Sequence, residues 1–199
     1  ISASLVGSEM CIRDRPNIVW LVIEDQSQYF FPFYGDNTIE LQNINQLLDN
    51  GIVYEGMNSP YPVCAPSRSA IITGMYPNSI GTGNQRAYSY YRAEREEHEK
   101  QLGFPFYSSK FAEQIKPFTQ ILRENGYYTS NNSKEDYNFK LTKEAWDDSC
   151  INASWENRDG SEPFFSVFNF GITHESQIWL RDEQEPVSYT HLTLPTNRC

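Results

Sequence analysis

Short apolar runs along the chain alternate with stretches of helix-like and turn-like character. Ile18–Ile23 is continuously apolar and rich in β-branched residues, a pattern that predicts a strand buried on both faces, as in a parallel sheet. Similar but shorter patterns predict further strands over 52–58, 127–131 and 164–170.

Helical periodicity lies between these strands, and each predicted helix is followed by a glycine suited to end it. The predicted helices cover 43–50 before Gly51, 67–73 before Gly74, and 117–125 before Gly126. Pro66 is suited to open the second helix, because proline fits the first turn. This alternation predicts an α/β domain with a mainly parallel sheet and helices on both faces.

The middle of the chain, residues 81–110, is polar and rich in tyrosine. Its charged run over 93–100 is typical of a solvated helix face, so we expect a surface excursion and assign His98 no role.

The two ends differ in character from the rest. Residues 1–15 and 187–199 resemble strings that recur where sequencing-adaptor DNA has been translated in environmental assemblies. We expect both to be artefacts and exclude them from the fold, which leaves one domain over 16–186. The start of the chain then carries no information about a signal peptide.

Composition narrows the classes of function. The chain of 199 residues has 39% hydrophobic and 15% aromatic residues, which is enough for a packed core. With 16 basic and 26 acidic residues its net charge is −10, which argues against nucleic acid as a partner. No apolar run is long enough to cross a bilayer, and the four cysteines form no CxxC pair.

Polar side chains follow the carboxyl ends of the predicted strands. Glu24 and Asp25 follow the first strand, and the others comprise Ser133, Lys134, Asp136, Thr173, His174 and Glu175. Because ligands of open α/β sheets bind outside the carboxyl ends of strands, we expect these groups to share one crevice. Cys64 lies directly before a predicted helix, whose amino end favours an anion. A cation site, an anion site and a nucleophile together indicate hydrolysis of an esterified oxyanion.

Each group also has a plain structural interpretation. The acidic pair could be a solvated turn, Lys134 a surface lysine and His174 a hydrogen-bonded residue at a strand end. Cys64 and Cys150 could both be small buried hydrophobic residues.

One segment favours the functional interpretation of these residues over the plain structural one. Residues 64–74 match C-x-P-S-R-x-x-x-x-T-G at all six fixed positions, and this pattern resembles the signature of the type I sulfatases of the alkaline-phosphatase-like superfamily. The resemblance extends over nearly all of 16–186. The segments Asn132-Ser133-Lys134 and Thr173-His174-Glu175-Ser176 favour bacterial relatives of heparan N-sulfatase.

The resemblance implies a mechanism and roles for particular residues. Cys64 would be oxidised to Cα-formylglycine by a formylglycine-generating enzyme. One hydroxyl of the hydrated aldehyde would attack sulfur, and the alcohol or amine of the substrate would leave. The second hydroxyl would then expel sulfate by restoring the aldehyde. Arg68 would stabilise the ionised hydrate, and Lys134 and His174 would contact sulfate oxygens or the leaving group. Glu24 and Asp25, with residue 64, would hold a divalent cation, by resemblance Ca²⁺.

The same resemblance implies a sulfated small molecule or glycan as substrate and a periplasmic or extracellular location. We expect the chain to be the N-terminal part of such an enzyme and inactive alone, because the downstream Asp-Asn metal pair and second lysine of the family lie outside it. Two alternatives stay open: a phosphonate or phosphate monoester hydrolase of the same superfamily, and an inactive binding homologue.

Three positions depart from the family pattern. Glu24 stands where many relatives have Asp, and Asp136 where many have the histidine that follows the lysine by two residues. Asn84-Gln85-Arg86 replaces a segment in which bacterial relatives often show histidines. The identity of the general acid is therefore open.

Overall fold

A computed structural model describes residues 15–85, 92–110 and 114–178, and the side chains of 92–95 and 178 are not described. The expectation that residues 1–15 and 187–199 are artefacts lies outside these ranges, apart from residue 15. So does most of the tyrosine-rich segment that follows residue 85.

A sheet of four strands forms the centre of the described structure, in the order β1-β4-β2-β3. The strands are β1 (Ile18–Ile23), β2 (Tyr128–Asn132), β3 (Asp148–Ser149) and β4 (Phe164–Phe170). β2 runs parallel to both neighbours, with Tyr128 opposite Phe164 and Ser130 opposite Asp148. The prediction of a parallel α/β fold is therefore confirmed.

All four described α-helices lie between β1 and β2 in the chain. They are α1 (Gln42–Asn50), α2 (Cys64–Thr73), α3 (Arg92–Leu102) and α4 (Phe118–Glu124). α2 ends where Gly74 adopts the left-handed conformation (φ 66°) and its N–H donates to the carbonyl of Ala70 at 2.8 Å. The three helices predicted from the sequence are thus confirmed, with ends that lie within three residues of the prediction.

Phe165 on β4 is the centre of the aromatic core. It is 1% exposed. Trp20, Phe118 and Trp146 surround it, with ring centroids at 4.9, 5.2 and 6.2 Å. Burial of such large rings provides the main hydrophobic stabilisation of this part of the chain.

β2 is unusual because its buried residues are polar. Thr129, Ser130 and Asn131 are all at most 1% exposed. Their side chains are paired: Ser130 Oγ lies 2.6 Å from Ser166 Oγ on β4, and Asn131 Nδ2 donates to Ser149 Oγ on β3 at 3.1 Å. These hydrogen bonds offset the cost of taking hydroxyl and amide groups out of water.

The described residues divide into two compact units. The first contains the described residues up to Trp20 together with Asn58–Phe168, and the second contains Leu21–Met57 together with the described residues from Asn169 onward. The first unit holds α2, α3, α4 and the aromatic core, and the second holds α1.

Two predictions about apolar segments are wrong. β1 is not buried on both faces: it lies at one edge of the sheet, and Leu21 is 58% exposed. The second predicted strand, over 52–58, is absent from the described structure. That segment is coil with a turn at residues 55–56, and Ile52 is 80% exposed. In both cases the apolar pattern is real but is not fully buried. In β1, Trp20 packs on Phe118 and Phe165 while Leu21 stays exposed.

The structure also shows where α2 begins and what the polar segment after Gly81 contains. α2 begins at Cys64 rather than after Pro66, because Val63 is already extended (φ −153°, ψ 151°) and the helix starts directly after it. The polar segment over 81–110 contains α3, on which the described charged residues and His98 are mostly exposed, as expected of a solvated helix face.

No helix in the described part of the chain has the length and apolar character needed to span a membrane.

The exposed apolar residues of β1 and of 52–58 lead to a prediction about residues 16–186 as an isolated polypeptide. We expect this polypeptide to bind 1-anilinonaphthalene-8-sulfonate and to unfold without a sharp thermal transition, because contiguous uncovered apolar surface promotes association. Fluorescence titration and calorimetry measure both properties. A cooperative melt of a monomer that does not bind the dye would contradict the prediction.

Candidate active site

α2 carries two of the predicted site residues. Cys64 is its first residue and Arg68 lies one turn further along, so both are on one side of the helix start. The Cys64 side chain is half-buried. The backbone N–H groups of a helix's first turn and its dipole favour negative charge there. Cys64 therefore occupies a position suited to an anionic ligand.

Gln85 holds the side chain of Cys64. Its Nε2 donates to Cys64 Sγ at 3.1 Å, and its Oε1 accepts from the backbone N–H of Ala65 at 3.4 Å. Cys64 Sγ also lies within donor distance of Oε1, at 3.7 Å, but the shorter contact is with Nε2. The N–H of Ala65 favours the orientation in which Oε1 faces the backbone. Gln85 thus places a hydrogen-bond donor on the group proposed to react.

The loop after β2 is joined to α2 at two points. Arg68 Nη1 donates to the carbonyl of Lys134 at 3.0 Å. Further along, the N–H of Asn138 donates to the buried Ser69 Oγ at 3.2 Å, and Asn138 Nδ2 donates to the carbonyl of Asn84 at 2.8 Å. These bonds bring Lys134 to the helix that carries Cys64 and Arg68.

Within this loop Lys134 and Asp136 form an ion pair, with Nζ and Oδ2 3.5 Å apart. Asp136 has a left-handed backbone (φ 53°), which is unfavourable for a residue with a Cβ and is concentrated at functional sites.

Tyr137 follows in the same loop and remains a neutral phenol. Burial raises the pKa of its hydroxyl above the ordinary value, and the charge of Glu135 adds to the rise while Arg68 opposes it. The Tyr137 ring also stacks on Phe139, with centroids 5.6 Å apart.

The second unit contains the acidic pair and the predicted histidine. Asp25 has a left-handed backbone (φ 51°), and its Oδ2 accepts from the backbone N–H of Glu175 at 2.8 Å. Glu24 is 9% exposed and its N–H donates to the carbonyl of Phe170 at 3.4 Å. His174 Nδ1 lies 2.8 Å from Ser176 Oγ. The residues after β1 and after β4 are therefore joined in this unit.

The donors of the acidic pair suit a hard cation, since Ca²⁺ takes about six to eight oxygen ligands, many of them carboxylates. Two carboxylates supply only part of such a set. Within the described ranges, no group of three or more His, Cys, Asp or Glu side chains is placed to hold a metal ion.

The contacts of Gln85 and Asn138 could not be predicted from the sequence. In the sequence Gln85 differs from its surroundings only as a departure from the family pattern, and nothing distinguishes Asn138. Each lies far along the chain from its partner on α2, 21 and 69 residues away respectively. Their roles depend on tertiary contacts for which a single sequence gives no signal.

The parallel sheet, the helix that begins the C-x-P-S-R pattern and the lysine loop joined to it agree with the alkaline-phosphatase-like fold. The family model described as Sulfatase matches residues 16–191. The chain therefore belongs to the sulfatase family.

Relatives by sequence are also sulfatases. An ulvan-active sulfatase of Formosa agariphila is 42% identical over 173 residues, which is 87% of this chain and 28% of that protein. An N-acetylgalactosamine-6-sulfatase of Canis lupus familiaris is 32% identical over 78 residues, or 38% of this chain and 15% of that protein. The chain thus spans less than a third of the length of these relatives.

Solved structures share the fold. Ps i-CgsB in complex with k-i-k-neocarrahexaose aligns with a TM-score of 0.62 at 17% identity, covering 93% of this chain and 50% of that one. A 2-O GAG sulfatase aligns with a TM-score of 0.59 at 14% identity, covering 86% of this chain and 39% of that one.

The contact between Gln85 and Cys64 leads to a prediction for the full-length protein made without the modifying enzyme, in which residue 64 stays a thiol. Gln85→Ala should slow alkylation of Cys64 by iodoacetamide about tenfold, because a hydrogen bond to the attacking thiolate is lost. Gln101→Ala, which removes an exposed glutamine on α3, is the matched control. Equal rates for all three proteins would contradict the prediction.

Proposed function

We propose that the protein containing this chain hydrolyses a sulfate ester or sulfamate, with residue 64 as the nucleophile after its conversion to formylglycine. The observation that supports this best is the α2 helix, where the complete C-x-P-S-R-x-x-x-x-T-G pattern begins at the first helical residue and Arg68 binds the lysine loop. Membership of the sulfatase family agrees with it.

A sulfated polysaccharide is the proposed class of substrate. The relative that shares 42% identity over most of this chain is an ulvan-active sulfatase. The acidic balance of the chain, −10 overall, means that attraction of such a polyanion must come from local cations rather than from net charge. Arg68 and Lys134 are the basic residues of the first unit proposed for this role. A periplasmic or extracellular location would match a polymeric substrate.

The remaining roles are assigned by residue type and position. Arg68 and Lys134 would stabilise the charge that develops on the sulfate oxygens. His174 would contact the leaving group, and its bond to Ser176 would set the orientation of the ring. Glu24 and Asp25 would hold a divalent cation, proposed to be Ca²⁺, which would supply Lewis-acid stabilisation of sulfate. The N–H of Glu175 would orient Asp25 for that task.

Modification of residue 64 is the first test. After co-expression of the full-length protein with a formylglycine-generating enzyme, mass spectrometry of the residue-64 peptide should show the aldehyde. Cys64→Ala should abolish sulfate release, because no nucleophile remains. Active protein that retains an unmodified thiol would refute the mechanism. Faster turnover of an aryl phosphonate than of an aryl sulfate would refute the assignment of sulfate as substrate.

The acidic pair is tested by calcium titration of the full-length protein. Asp25→Asn should weaken Ca²⁺ binding by more than about tenfold, because an amide oxygen carries no net charge. Asp36→Asn, which changes an exposed carboxylate of the same unit bonded to Thr38, is the matched control. Isothermal titration calorimetry measures both affinities, and unchanged binding in Asp25→Asn would exclude this residue as a ligand.

A further inference from the structure

Asp136 is an acidic side chain held almost entirely out of water beside Lys134. Its side chain is 6% exposed and that of Lys134 is 22% exposed, with 3.5 Å between Oδ2 and Nζ. A carboxylate at this depth is costly unless a cation balances its charge. Lys134 supplies such a cation. The contact is an ion pair without a hydrogen bond to Oδ2, so it keeps the ammonium near the carboxylate but does not fix the direction of its N–H groups.

The backbone around Asp136 is fixed on both sides. The carbonyl of Lys134 is bound by Arg68, and the N–H of Asn138 is bound by Ser69, so the loop is fastened to α2 before and after Asp136. Asp136 itself has a φ of 53°, an unfavourable conformation that persists only when its surroundings enforce it. The carboxylate therefore has a defined position relative to the helix that carries Cys64.

We propose that Asp136 is a positioning residue: its buried carboxylate keeps the Lys134 ammonium in one place for the anionic group that reacts at residue 64. This inference rests on the proposed sulfatase function. Asp136 need not touch the substrate, because its effect acts through Lys134. A surface lysine without such a partner would sample many rotamers and would lose entropy each time it bound an anion.

Double-mutant kinetics of the full-length, formylglycine-containing protein tests this role. Asp136→Asn should lower kcat/KM for an aryl sulfate about 100-fold, since small displacements of a charge-stabilising group have effects of that size. Asp136→Glu, which keeps the charge, should recover most of the loss. Combined with Lys134→Met, Asp136→Asn should cause less than about twofold further loss, because the group through which it acts is gone.

A purely structural role predicts a different result. Asp136→Asn would then reduce kcat/KM by the same factor in the wild-type protein and in Lys134→Met, and this result would overturn the inference. A loss of less than twofold in the wild-type protein would also overturn it. Glu124→Gln is the matched control, because it breaks the exposed ion pair with Lys116 at 2.7 Å and should leave kcat/KM unchanged. Thermal melts of every variant separate loss of folding from loss of positioning.

Binding of inorganic sulfate separates this inference from the proposed function. Sulfate should raise the melting temperature of the wild-type protein, and Asp136→Asn should lose most of that shift while Glu124→Gln retains it. If the modified wild-type protein binds sulfate but releases none from any ester, the proposed function fails. The positioning role of Asp136 is then tested by the change in melting temperature that sulfate causes in the wild-type protein and in Asp136→Asn. Equal shifts in the wild-type protein and in Asp136→Asn would overturn the positioning role.

Discussion

The hydrogen bond from Arg68 to the carbonyl of Lys134 is the contact on which the candidate site of the first unit depends. It joins two segments that are 66 residues apart, the start of the helix that carries Cys64 and the loop that carries Lys134. A guanidinium can make this bond and keep further donors for other groups, since it has five N–H hydrogens in a planar fork. One side chain can thus fasten the loop and still take part in anion binding. Lysine at position 68 would have a single nitrogen for both tasks.

Local patterns predicted most of the elements. β1 and β4 have the predicted bounds, and the strand after Gly126 and the helices before Gly51 and Gly74 lie within three residues of them. These elements could be predicted because their signals lie within the segment itself: β-branched runs, helical spacing and a glycine that ends the helix. The two-residue β3 has no such signal. The segment 52–58 failed for a different reason, because an apolar run becomes a strand only when a partner pairs with it.

The candidate site was predictable in residue type but not in geometry. The signature identifies Cys64 and Arg68 because chemistry fixes their spacing on one helix. Gln85, which binds Cys64, and Asn138, which binds Ser69 on the same helix, are ordinary polar residues in loops. Only tertiary structure distinguishes them from solvent-exposed neighbours. The positive φ angles of Asp25 and Asp136 are equally invisible in sequence, because aspartate is common in turns of every kind.

The polar interior of β2 has a consequence for how the sheet aligns. Apolar side chains tolerate small displacements along a neighbouring strand, since one methyl group packs much like another. The paired hydroxyls of Ser130 and Ser166, and the amide of Asn131 on Ser149, accept one alignment only. A register shift of one residue would turn each of these groups to the opposite face of the sheet, where it would lose its hydrogen-bond partner. The loop that carries Lys134 starts directly after β2. The register of β2 with β3 and β4 therefore determines where this loop, and with it Lys134, lies at the end of the sheet.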